Sequence, residues 1–248
     1  MSSIQQDLSI FNKFNFEKPP VGVKFLFNKP EGIERLDKNL AFCEMTREAQ
    51  QSEAPFYVDL ENLSCKPSAY VWGHDISEVY KSGLFGVAIK AFKEACANKR
   101  IYQYLPRLAP GIVNYIAFSP LDKLSFDPDL LIILTDNTSQ TEIVLRAIVY
   151  TNGEMWSSEM TNVLGCAWLF AYPFVTGKLN YVTTGISCGM KAKKVFPEGR
   201  QLISIPFNWL PTITQNLQEM EWVLPAYVAD DIGGFVARIY TELGVSPS

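Results

Sequence analysis

A chain of 248 residues with a hydrophobic fraction of 48%, an aromatic fraction of 13% and a charged fraction of 19% can bury a full core unaided, which excludes a disordered chain. A formal net charge of −4, with no run of Lys or Arg longer than the Lys193-Lys194 pair, excludes the electrostatic footprint of a nucleic-acid binder. The start, Met1 to Asp7, lacks the basic and apolar regions of a signal peptide, and no stretch reaches the roughly 18 apolar residues of a membrane span, so a cytoplasmic protein with no membrane partner is expected.

In chain order, residues 1–20 predict a helix with Leu8, Ile10, Phe11 and Phe14 on one side, stopped by Pro19-Pro20. Val21 to Phe27 reads as a strand, and Leu40 to Gln51 as a helix with Cys43 in its first turn. Phe56 to Leu60 alternates as a strand and leads to Cys65 and Lys66-Pro67, where a strand cannot easily continue. Leu84 to Asn98 predicts a helix whose apolar stripe includes Cys96, placing that thiol in the core.

Asn114 to Phe118 is a further strand, and the continuous apolar run Leu130 to Thr135 predicts a strand covered on both faces. Ser139 and Glu142 have the spacing of a capping box, opening a helix to about Tyr150. The Thr135 to Thr138 turn and this helix form a βα unit whose free amides either are capped in the ordinary way or hold an anion. A helix over about Ser158–Tyr172 carries Cys166, Tyr181 to Thr184 is a strand running towards Gly185 and Cys188, and Gln201 to Ile205 is another. An apolar helix follows Pro206 through Trp209 to Met220, and a last one covers about 229–243, with Gly244 as its cap.

Alternating strands and helices give an α/β (or α+β) class: a single domain over 1–248 with a mixed sheet, in which quasi-duplicate halves at about 17–100 and 112–220 share one core. The duplication is suggested by the cysteines. Cys43 and Cys65 are separated by 22 positions, as are Cys166 and Cys188; each interval contains a Tyr-Val strand and ends in Ser-Cys. Two such units packed about a pseudo-twofold axis would bring four thiols to their seam. Against this, five cysteines make ten pairs, so one shared spacing is weak, and free Cys is often simply buried.

Soft thiolates suit iron–sulfur clusters or zinc. Structural zinc usually takes closely spaced Cys pairs, absent here, so the dispersed set Cys43, Cys65, Cys166 and Cys188 points to a [4Fe–4S] cluster, with zinc as the alternative. Other groups are thinner. His74 is the only histidine and so the only near-neutral base, although a lone His in a polar turn is also an ordinary surface residue. Asn137, Gln140, Arg146 and Lys193 are candidate substrate-binding groups. Arg47, Arg107 and Arg200 are further cations, of a kind usually solvated. Trp156, Trp168, Phe170, Tyr172 and Phe174 line a flat pocket or fill core; no phosphate loop, H-E-x-x-H or Rossmann fingerprint is present.

At Pro19 to Lys24, the Cys43 and Cys65 contexts, Asp129 with its strand and the Asn137 to Gln140 turn, Gly165-Cys166, Ser187-Cys188-Gly189 and Ile203 to Pro206, the chain resembles the "domain of unknown function 169" family of uncharacterised prokaryotic proteins, over about residues 17–243. The resemblance implies that Cys43, Cys65, Cys166 and Cys188 form one recurring set that does not include Cys96. Many members carry an Arg shortly after the last cysteine motif; Met190 to Lys194 supplies lysines instead, so no Arg role carries over. The family implies no activity.

The expectation is an iron–sulfur protein in redox or electron-transfer chemistry, whose partners are a small-molecule substrate or a redox protein, with a homo-oligomer allowed. The alternatives are a non-enzymatic ligand-binding or accessory module with buried or zinc-bound cysteines, and metal-free chemistry at one nucleophilic thiol.

Overall fold

The computed structural model describes residues 6–246. It is a mixed α/β fold. The strands are β1 (Val21–Leu26), β2 (Glu34–Arg35), β3 (Phe56–Val58), β4 (Tyr115–Pro120), β5 (Leu130–Thr135), β6 (Asn180–Thr183) and β7 (Gln201–Pro206). They form one sheet in the order β2-β3-β4-β1-β5-β7-β6, antiparallel except for the parallel β2–β3 pair. All six residues of β5 are buried, as its unbroken apolar run requires of a central strand.

Strand order and register repeat across the β1–β5 pair. Gly22 faces Leu131 at its centre, between Val21 opposite Ile132 and Val23 opposite Leu130. Outward on one side, β1 sets Val21 against Pro120 of β4; on the other, β5 sets Leu130 against Pro206 of β7. At the next step Tyr57 lies opposite Ala117 and Tyr181 opposite Ile203. Both prolines then lead into 3-10 turns, Leu121–Lys123 and Phe207–Trp209. The β4 strand, which the sequence boundaries put in the second segment, pairs with β1 and β3.

Because successive strand residues point to opposite faces, β5 serves two cores. Leu130, Ile132 and Leu134 pack under the cysteine-bearing helices, whereas Leu131 and Ile133 pack under α6 (Thr138–Val149) and α9 (Leu210–Glu219). The first face carries α1 (Phe42–Ala49), α2 (Lys66–Val71), a helical run over 165–176 and α8 (Cys188–Ala192). Within that run, Ala167–Ala171 is a π-turn continuing into α7 (Tyr172–Thr176). The turn precedes Pro173, which has no N–H to give the Trp168 carbonyl; Asn180 Nδ2 supplies that donor at 2.8 Å.

Several sequence expectations are corrected. The N-terminal segment forms only a 3-10 turn, Ser9–Phe14, although Leu8, Ile10, Phe11 and Phe14 are buried as expected; residues 1–5 lie outside the described residues. The helix expected over 84–98 is two, α4 (Leu84–Ala88) and α5 (Ala95–Tyr104), after the short α3 (Glu78–Lys81). Lys90 at φ 59° breaks the run, and Cys96, expected in the core, is exposed. The helix expected from Ser158 begins at 165, because Leu164 takes a left-handed φ of 57°. The cap of α6 is Asn137, whose side chain accepts from the Gln140 N–H, rather than Ser139. The last helix, α10 (Ile232–Glu242), forms at its expected place, but none of its residues is buried.

Candidate functional site

Four separate segments deliver the four cysteines, each at the start of a helix. Cys43 is the second residue of α1, where the Glu44 carboxylate accepts from the Ala41 N–H at 2.8 Å. Cys65 is the N-cap of α2, with Pro67 in its first turn, where a missing N–H costs no helical bond; Pro67 thus begins a helix as well as ending the extended stretch. Cys166 is the second residue of the 165–176 run. Cys188 opens α8, and its N–H donates to the Asn162 carbonyl at 2.8 Å. Helix starts favour negative charge, so all four positions suit a thiolate better than a helix interior would.

The four side chains line one cavity of about 130 Å³. All five cysteines of the chain are free, and only Cys96 stands outside it. Apolar groups dominate the walls, among them Phe85, Ile89, Leu164 and Met190; Lys193, Asn98 and Tyr102 are the polar exceptions beside Ser68 and Ser187. Gly165 is a close approach: a Cβ there would stand 2.9 Å from the Ser187 side chain, whose Oγ accepts from the Gly165 N–H at 3.2 Å. Ser68 Oγ lies 4.0 Å from Cys166 Sγ. Among the described residues, no three Cys, His, Asp or Glu side chains are drawn together as an ion's ligand set. The thiols ring a space.

The electrostatics follow from burial. The Cys43 thiol is pushed up to about 12, chiefly by desolvation and then by the neighbouring Cys65 charge. Cys166 is also pushed up by burial, with Cys43 and Cys65 adding repulsion. Both are therefore protonated at neutral pH in the unliganded protein. One cation stands close: Lys193 Nζ is 3.0 Å from Glu44 Oε2, and its ammonium is held above its ordinary value by that bond and by Cys65 and Cys43. Burial opposes the Glu44 charge, but the Ala41 N–H and Lys193 outweigh it and keep the carboxyl below its usual range.

Of the candidate substrate groups, Lys193 alone is at this cavity. Asn137 caps α6. Gln140 Oε1 accepts from the Asp136 N–H at 2.7 Å while its Nε2 donates to the Phe14 carbonyl at 3.1 Å. Arg146 donates to the carbonyls of Glu221 and Trp222 at 2.7 and 2.9 Å, pinning the chain after α9. These three side chains brace α6 on the opposite face of the sheet. His74 is also outside the cavity, lowered by partial burial and by Arg107, which in turn lies 4.0 Å from the centre of the Tyr70 ring. Arg200 pairs with Asp136 and Glu17 at 2.6 and 2.9 Å. Phe170 is core: its ring stacks on Phe42 at 4.0 Å, joining α1 to the Cys166 helix.

Sequence reasoning missed Asn98 as a cavity residue. Its signal was a polar, weakly helix-forming residue within an apolar stripe.

An α/β protein with a four-cysteine cavity on one face of a seven-stranded sheet is the class these observations define. The chain belongs to the DUF169 family, described as "Uncharacterised ArCR", whose model matches residues 9–216. It is similar to the uncharacterised protein MJ0308 of Methanocaldococcus jannaschii, at 26% identity over 213 residues, covering 84% of this chain and 90% of that protein. No solved structure matches it. Among the described residues no helix is long and apolar enough to cross a membrane.

Proposed function

We propose that Cys43, Cys65, Cys166 and Cys188 hold an iron–sulfur cluster, of the [4Fe–4S] type, and that the protein works in redox or electron-transfer chemistry on a small molecule or with a redox partner protein. The observation that carries this reading is that four thiols from four segments line one cavity while the fifth is exposed elsewhere. The donor set fits the group, since soft thiolates are the ligands such clusters take. A single zinc fits less well: four thiolates at its bonding distance stand about 3.8 Å apart, converging on a point, whereas these thiols border a cavity. The order and register of β1, β4 and β3 match those of β5, β7 and β6, which supports the quasi-duplicate reading, with the thiols contributed two by each set.

Such a cluster, when bound, supplies one-electron transfer at a potential set by burial and by hydrogen bonds to its sulfurs. The chain's own groups would do the rest. All four thiols must give up protons on binding it, which the helix starts and the Lys193 ammonium make less costly. The apolar wall of Phe85, Leu164 and Met190 keeps water away from the sulfurs.

The test is anaerobic purification with iron, sulfide, zinc and visible-absorption analysis of the protein and its Cys→Ser variants. About four irons per chain are expected, lost in each of the variants at 43, 65, 166 and 188 and retained in Cys96→Ser. A colourless, iron-free protein after anaerobic reconstitution, or equal damage from Cys96→Ser, would overturn the proposal. A second reading, a ligand-binding module with unmetallated or zinc-bound cysteines, is favoured by the largely apolar lining of the cavity.

A further inference from the structure

The cavity is also walled by α4 and α5, and there Asn98 is 2% exposed with an Oδ1 that has no hydrogen-bond partner. Its orientation is fixed, because Nδ2 donates to the Gly83 carbonyl at 3.3 Å and only the amino end of the amide can do so. Two glycines make room for it. A Cβ on Gly86 would stand 2.3 Å from Asn98 Nδ2, and one on Gly83, at φ 86°, would stand 2.0 Å from the Ala95 carbonyl oxygen. The helices thus close on each other around an unpaired acceptor in the cavity wall, and a buried acceptor left unmet is costly.

We propose that this wall is a binding subsite for a small neutral molecule with an apolar body and one N–H or O–H donor, which Asn98 Oδ1 accepts. Neutrality follows from the lining: the charge of Lys193 is met by Glu44 behind it, and Asn98, Ser68, Ser187 and Tyr102 are neutral. Phe85 and Ile89 line the same cavity and supply the apolar contact. This inference rests on the reading of the thiol cavity as the working site and adds the substrate class it takes.

The experiment uses phenol and toluene, the same ring with and without a donor, titrated calorimetrically into the full-length, anaerobically purified protein, with iron assayed on each sample. Phenol is expected to bind about tenfold more tightly than toluene, the worth of one hydrogen bond. Asn98→Leu should abolish that preference, and Ile89→Trp, at a half-exposed rim position that leaves the fold intact, should weaken both probes. Equal affinities, no binding of either probe, or a preference that survives Asn98→Leu would overturn the subsite and leave the oxygen to a buried water. The wild-type comparison stands even if Asn98→Leu fails to fold. Iron-loaded protein without the preference sinks the subsite alone; iron-free protein that shows it sinks the cluster alone.

Discussion

Burial separates the cysteines into distinct chemical species. Cys43 and Cys166 are sealed under the sheet, whereas Cys96 lies on the surface of α5. In the metal-free protein a brief exposure to iodoacetamide should therefore label Cys96 first, with Cys43 and Cys166, buried and protonated, reacting far more slowly, as peptide mass mapping would read. Equal labelling of Cys43 would contradict the packing. The raised Cys43 thiol also has a pH consequence. Its folded value of about 12 lies above the ordinary 9.0, so the unfolded chain loses that proton first as pH rises. The stability is fully present below about pH 9 and is lost between there and 12, since the unfolded state alone gains from ionising. Melting temperatures of metal-free protein should fall from pH 8 to 10.5, and less steeply in Cys43→Ala.

At the scale of elements, the segment carrying Cys166 depends on a long-range side chain. Asn180 accepts from the Glu159 N–H at 2.9 Å, donates to the Glu159 carbonyl at 3.0 Å, and serves the Trp168 carbonyl that Pro173 leaves open. It is buried at 1% exposure, so Asn180→Ala leaves the Trp168 carbonyl unpaired in the core. A loss of about 2–3 kcal/mol in urea unfolding is expected, together with reduced metal retention if the Cys166 turn shifts. A loss below about 0.5 kcal/mol would mean that the π-turn holds itself. The α6 cap shows the converse. Asn137 is spent on the Gln140 N–H, Gln140 on Asp136 and Phe14, and Arg146 on the chain after α9, so this helix start works as a structural joint.

For the whole molecule, the two strand sets are joined below the cavity by the Phe42–Phe170 stack, parallel within 8° and fully buried on both sides. Phe170→Ala removes one face of that joint and opens a void. The expected cost is about 3–5 kcal/mol by urea denaturation; under the proposed cluster, bound iron per chain should drop more than in Trp156→Ala, whose ring is half-exposed and outside the core cluster. Unchanged iron binding in a folded Phe170→Ala protein would show that the thiols are positioned without the stack.

Local chemistry was enough for much of this protein. The unbroken run from Leu130 to Thr135 dictates a strand buried on both faces, Pro206 ends the strand that precedes it, and the context of each cysteine pair distinguishes four thiols from Cys96, whereas the helix expected to stop before Pro173 runs through it to Thr176. Those features depend on residues adjacent in the chain. Other features depend on residues far apart. The β4 pairing, the break at Lys90, the exposure of Cys96 and the bracing role of Arg146 are decided by contacts across tens of residues, where a carbonyl or a packed neighbour outweighs intrinsic preference. The convergence of the thiols and the bare oxygen of Asn98 belong to this second kind, because a cavity is a property of the surfaces that surround it.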